Sequence, residues 1–140
     1  MQEIVFFISH HAVLVGLFCI VIVLLLLVEL IRIRRGSFYI DPQKTVQKIN
    51  HENAVVIDIR PTDMYRKNHI IGALSISAAE LRNNPEKLEK YKERPIILVC
   101  ETGEDSRKIA AIFYQKYYDA YSLKDGMRSW NKADMPLIKE

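Results

Sequence analysis

From Ala12 to Val28 no charged or strongly polar side chain interrupts the chain. Leu30, Ile31 and a weaker stretch from Ile4 to Ile8 extend this run. Roughly 20 mostly apolar residues in a helix are enough to cross a bilayer core, so residues 4–31 are expected to form one transmembrane helix. A cleaved secretory leader would need a basic amino end and a small-residue cleavage site; here the amino end has Glu3 and no Lys or Arg, and bulky residues follow. Beyond residue 36 the pattern changes to short runs of strand formers separated by amphipathic stretches and turn residues.

Phe38-Tyr39-Ile40 reads as a short strand. Asp41-Pro42 supplies an N-cap and a first-turn proline, opening a helix to about Asn50 with Val46 and Ile49 inward. Ala54 to Ile59 is nearly continuous in β-branched residues, as expected of a parallel strand buried on both faces. One helical turn follows from Thr62 to Lys67, then a turn at His69–Ala73 into a third strand, Ala73 to Ile76. Short helices are expected at Ala78–Arg82 and Glu86–Tyr91, the latter with Leu88 and Tyr91 inward. Pro95 to Cys100 is a fourth strand and Arg107 to Tyr118 has helical periodicity. Ala120–Leu123 forms a fifth strand, and Asp125-Gly126 turns into a last helix containing Met127 and Trp130. Five strands alternating with helices predict an α/β domain with a five-stranded, mostly parallel sheet. The expected organisation is therefore an anchor with a basic linker at 1–36 and a soluble domain at 37–140.

Charge refines this picture. The chain carries +3 overall, and residues 1–36 account for +1, with Arg32, Arg34 and Arg35 against Glu3 and Glu29. The arginines flank the inner end of the span, which places the carboxyl domain in the cytoplasm by the positive-inside rule. Glu29 can reach the interface or pair with Arg32 three residues on. The soluble part is too near neutral, and lacks a basic stripe, for nucleic-acid binding. Two cysteines, Cys19 in the span and Cys100 in the domain, exclude a disulfide framework, and no ligand pattern for zinc is present. His10 and His11 are adjacent and do not share a helix face, so they do not read as a metal pair. No metal or other cofactor is expected.

Cys100 ends an apolar strand and precedes Glu101-Thr102-Gly103-Glu104-Asp105-Ser106, a polar loop leading into a helix. In α/β sheets such loops lie at the carboxyl ends of the strands, where helix N-termini and loop amides converge. A thiol there meets amide hydrogens that stabilise an anion on its sulfur. Position alone leaves a second reading open, in which Cys100 is a small buried hydrophobe closing a core strand.

Three segments together resemble the rhodanese family of sulfurtransferases. Asp58-Ile59-Arg60 with Tyr65 and His69-Ile70-Ile71-Gly72-Ala73 is similar to the family's aspartate-x-arginine and histidine-isoleucine-proline-glycine-alanine signatures. Cys100 through Ser106 resembles its active-site loop, cysteine-x-x-glycine-x-x-serine. Tyr121-Ser122-Leu123-Lys124-Asp125-Gly126 followed by Trp130 resembles its closing motif. The similarity spans about residues 37–137, so the whole chain looks like a single-domain bacterial rhodanese on an inner-membrane anchor. The resemblance implies that Cys100 takes sulfane sulfur from a donor, forms a persulfide and passes the sulfur to a thiol or cyanide acceptor. It implies that Glu101, Thr102, Gly103, Glu104, Asp105 and Ser106 form the substrate-binding cradle, with Asp58 and Arg60 as structural support.

The loop also departs from the family pattern. Glu101, Glu104 and Asp105 place three carboxylates within six residues of Cys100. They disfavour a second anion and repel donors such as thiosulfate, which leaves neutral, protein-bound or polysulfide donors. Glu104 and Asp105 also suit the positive end of a helix dipole. Asn68 and Ile71 stand where the family usually has glycine and proline, and both are read as structural. Ser106 is expected to cap the following helix, His69 to be a structural histidine in a turn, and Trp130 to pack in the core or against the surface. A rival reading is a rhodanese-fold module that binds a protein partner at the membrane without catalysis. A cysteine phosphatase would need arginine six residues after the cysteine, but Ser106 occupies that place and Arg107 comes one late.

Overall fold

Two of the inner strands are built from residues that bury both faces. In the computed structural model β2 (Val55–Asp58) and β5 (Ile96–Val99) are buried along their whole length. They pair in parallel, Val55 with Ile96 through Asp58 with Val99. With β1 (Tyr39–Ile40), β4 (Leu74–Ser75) and β6 (Ala120–Leu123) they form a five-stranded sheet of order β1-β6-β5-β2-β4. Every pairing in it is parallel. The structure describes residues 1, 6, 7, 9–36, 38–116 and 118–140, with the backbone alone at 32–36.

Alternation along the strands divides the core. Val55, Ile57, Ile96, Leu98 and Cys100 face one side, against α4 (Ala78–Asn83), a 3-10 helix (Pro85–Tyr91) and α5 (Glu104–Gln115). Val56, Ile97 and Val99 face the other, with Tyr65 of α3 (Thr62–Lys67) and Met127 and Trp130 of α6 (Gly126–Lys132). α2 (Pro42–Glu52) begins as its sequence predicts, with the Asp41 carboxylate accepting from the Lys44 amide at 2.8 Å and Pro42 in the first turn. Its buried positions are Thr45 and Lys48, while Val46 and Ile49 are half-buried against the core.

Two features differ from expectation. His69–Ile70 is a strand, β3, rather than a turn, and pairs antiparallel with β7 (Leu137–Ile138) in a second sheet. Its partner lies 67 residues away or more, beyond the reach of a local reading. The edge strands are also shorter than the apolar runs suggest, β4 holding only Leu74 and Ser75.

The chain divides into two compact units, Met1–Ser37 and Phe38–Glu140. The first contains α1 (Ala12–Gly36). Its segment Ala12–Ile31, 20 residues, is long and apolar enough to cross a membrane, and none of it is buried. A helix of that length rises about 30 Å, the thickness of a bilayer core. The outer extension at residues 4, 5 and 8, the Arg32 partner expected for Glu29, and Ser37 of the linker lie outside the described side chains.

Candidate active site

Strands β2, β5 and β6 are neighbours, so their carboxyl ends deliver Asp58, Cys100 and Leu123 to one edge of the sheet. Cys100 follows β5 on the face covered by α5 and is buried. The chain then turns through Glu101 and Thr102 to Gly103, whose φ of 85° lies in the left-handed region that glycine enters without strain. That turn brings the Gly103 amide back to donate to the Cys100 Sγ at 3.0 Å. A Cβ on Gly103 would lie 2.9 Å from the Asp125 nitrogen, so a close approach also requires glycine here.

Gly103 is the N-cap of α5, which corrects the expectation for Ser106. Ser106 lies inside the first turn, fully buried. Its Oγ is 3.3 Å from the Cys100 Sγ and 2.8 Å from the Oγ of Ser122 on β6. The helix starts earlier because glycine permits the left-handed cap and Glu104 and Asp105 then occupy the first turn, where carboxylates suit the dipole. Both acidic side chains are exposed, as is Thr102.

The β6–α6 junction holds the loop from the other side. Asp125 and Gly126 both have positive φ, 56° and 57°. The Met127 amide donates to the Cys100 carbonyl at 2.9 Å, and the Arg128 amide to the Glu101 carbonyl at 3.3 Å. A Cβ on Gly126 would sit 2.1 Å from the Cys100 carbonyl oxygen. No side chain fits there without displacing the loop.

Asp58 and Arg60 form a buried pair after β2. The Asp58 carboxylate accepts from Arg60 Nε at 3.0 Å and from Nη2 at 2.7 Å. Nη2 also donates to the Asn68 carbonyl at 2.6 Å, and Nη1 to the Glu101 Oε2 at 3.2 Å and the Asn68 Oδ1 at 3.5 Å. These contacts engage all five guanidinium hydrogens. Burial opposes the arginine's charge, but the hydrogen bonds and charge of Asp58, then those of Glu101, hold its pKa above the ordinary value. Asn68 thus has a definite task, accepting from Arg60 with both its backbone and its side chain.

Glu101 is one of the three carboxylates close to Cys100 in the chain. The structure pairs it with Arg60, so part of its charge is neutralised by a residue 41 positions away. His69 is buried, stacks on Tyr65 with ring centroids 3.8 Å apart, and places Nδ1 2.9 Å from the Tyr65 carbonyl. That is the structural role expected of it, in a strand. Trp130 is buried in the core and donates to the Pro136 carbonyl at 3.1 Å. Sequence reasoning passed over Ser122. Its signal was a hydroxyl alternating with apolar residues on a buried strand.

A cysteine at the end of a central parallel strand, cradled by the next helix and backed by an aspartate–arginine pair, belongs to a known class of α/β domain. The rhodanese-like domain family matches residues 41–133, and the chain belongs to that family. YibN of Escherichia coli K12 is 30% identical over 141 residues, covering 99% of both chains. The thiosulfate sulfurtransferase GlpE of Coxiella burnetii is 34% identical over 89 residues, which cover 63% of this chain and 80% of the relative. A crystal structure of a rhodanese-related protein from Thermoplasma volcanium has the same fold, with a TM-score of 0.66 at 20% identity, over 73% of this chain and 98% of the other.

Proposed function

We propose that this protein is a membrane-anchored sulfurtransferase that carries sulfane sulfur on Cys100. The observation that supports this most directly is the surroundings of the sulfur, which accepts from the Gly103 amide and stands beside the Ser106 hydroxyl. Such donors favour an anionic sulfur, which is the nucleophile in thiol chemistry. In the first step the Cys100 thiolate attacks the outer sulfur of the donor. The donor's sulfur–sulfur bond breaks, the leaving group takes the electron pair, and Cys100 becomes a persulfide with the charge on its outer sulfur. In the second step a thiolate or cyanide acceptor attacks that outer sulfur, and Cys100 leaves as thiolate. No external oxidant or reductant enters, and the two displacements predict ping-pong kinetics.

Glu101 to Ser106 form the substrate side of the site in this reading, and Asp58 with Arg60 hold the loop without touching substrate. Exposed Glu104 and Asp105 disfavour an anionic donor such as thiosulfate. Neutral or protein-borne sulfur suits the rim better, and polysulfide, itself anionic, serves as a second small donor in the test below. Residues 12–31 serve as the anchor, and Arg32, Arg34 and Arg35 favour a cytoplasmic domain at the bacterial inner membrane. The same acidic rim supports the rival reading, a module that binds a protein partner and transfers nothing.

The test is full-length protein in detergent, exposed separately to thiosulfate and polysulfide and read by peptide-resolved mass. One sulfur atom gained on the Cys100 peptide, and removed by cyanide or a thiol, is the expected result. A Cys100 that gains no sulfur from either donor favours the binding module.

A further inference from the structure

We infer that Ser122 is a positioning residue for the Cys100 sulfur and acts through Ser106. Three polar atoms stand in line within the buried face between the sheet and α5. Ser122 Oγ is 2.8 Å from Ser106 Oγ, which is 3.3 Å from Cys100 Sγ. Both serines are fully buried. The sheet sets this line, because Leu98 of β5 pairs with Ser122 while Cys100 follows two residues on.

The direction of the relay follows from donor counting. Each serine hydroxyl has one hydrogen and two acceptor sites. Among the described residues, the Ser122 Oγ has Ser106 as its hydrogen-bond partner, and a buried hydroxyl that donates to nothing is costly. Ser122 therefore donates to Ser106, and the Ser106 hydrogen is directed to the sulfur. A thiolate can only accept, so the relay is most complete when Cys100 is ionised. Hydrogen bonds in such a chain polarise one another, so the donor at the sulfur is stronger than a lone serine. Without Ser122 the Ser106 hydroxyl loses the donor that fixes its orientation, and it is free to turn toward the carbonyl of the N-cap Gly103 three residues back, an alternative open to serine in a helix.

This refines the sulfur chemistry proposed above and rests on that reading for its purpose, but its test does not depend on sulfur transfer. Iodoacetamide alkylation of Cys100 reports thiolate directly and is followed on the Cys100 peptide of full-length protein in detergent, across pH. Ser122→Val and Ser122→Thr add similar bulk and differ in the hydroxyl. Near neutral pH the Val variant is expected to alkylate about threefold to tenfold more slowly than wild type, with the rates converging in alkali. The Thr variant is expected to recover most of the loss. The charged groups flanking the loop (Asp58, Arg60, Glu101, Glu104, Asp105 and Arg128) are the same in all variants, so they do not produce the difference.

Equal slowing in Thr and Val, or wild-type rates in both, would overturn the inference. Should the larger side chains prevent folding, Ser122→Ala, Ser106→Ala and the double variant decide it. The double variant should react like Ser106→Ala alone, because Ser122 acts only through Ser106. Additive losses would contradict the relay. Wild-type Cys100 that alkylates as expected but accepts no sulfur would instead count against the transfer reading alone.

Discussion

The two central strands end in opposite kinds of chemistry. β2 and β5 are adjacent, parallel and buried throughout. After β2 the polar groups are an aspartate and an arginine whose hydrogen-bonding capacity is filled by Asn68, Glu101 and each other. After β5 the polar group is a sulfur held by one amide and one hydroxyl, next to a loop of exposed side chains. Saturated groups have nothing left to offer a substrate, and they fix geometry. The sulfur retains capacity to react. Under the proposed function, stability falls to the β2 end and chemistry to the β5 end, with Glu101 bridging them.

Substitutions at the two ends should therefore fail differently. Cys100→Ser gives the largest functional effect: sulfur uptake at this position disappears, while the urea midpoint followed through the single tryptophan, Trp130, moves little. Arg60→Met leaves the Asp58 carboxylate buried without its partner and should cost about 3–5 kcal/mol in the same unfolding measurement. A Cys100→Ser domain as unstable as Arg60→Met would break the division of labour.

Gly126→Ala lies between the two ends, because its Cβ would overlap the Cys100 carbonyl oxygen. Overpacking and the positive φ together should destabilise the domain by roughly 2–3 kcal/mol, and sulfur uptake should fall with it. Thermal unfolding and uptake measured on one sample test that coupling. Glu101→Gln is the mildest change. Its carboxylate is half-exposed, at 51%, so the ion pair should contribute under about 1 kcal/mol. Its effect should appear instead as a few-fold gain for thiosulfate relative to a neutral organic trisulfide, read as a ratio of initial rates.

Much of this arrangement was legible in the sequence because it is local. The β-branched run before Asp58 and the apolar run before Cys100 announce buried parallel strands, and the cysteine at the strand end announces the loop. The pairing of His69–Ile70 with Leu137–Ile138 was not legible, since neither segment names its partner. The helix start at Glu104 was also missed, because serine is the commoner cap and glycine gives a weaker signal. The placement of Glu101 on Arg60 depends on adjacency of β2 and β5, which counting carboxylates near Cys100 does not reveal. Ser122 needed the register of β6 as well.

The central claim is that Cys100 carries the transferred sulfur. The direct measurement is the mass of the Cys100 peptide from full-length protein after polysulfide treatment, with Cys100→Ser treated in parallel. The account predicts one added sulfur atom on Cys100 that a thiol acceptor removes, and none at that position in the variant. A wild-type peptide without added sulfur, or sulfur that the acceptor cannot remove, would contradict it.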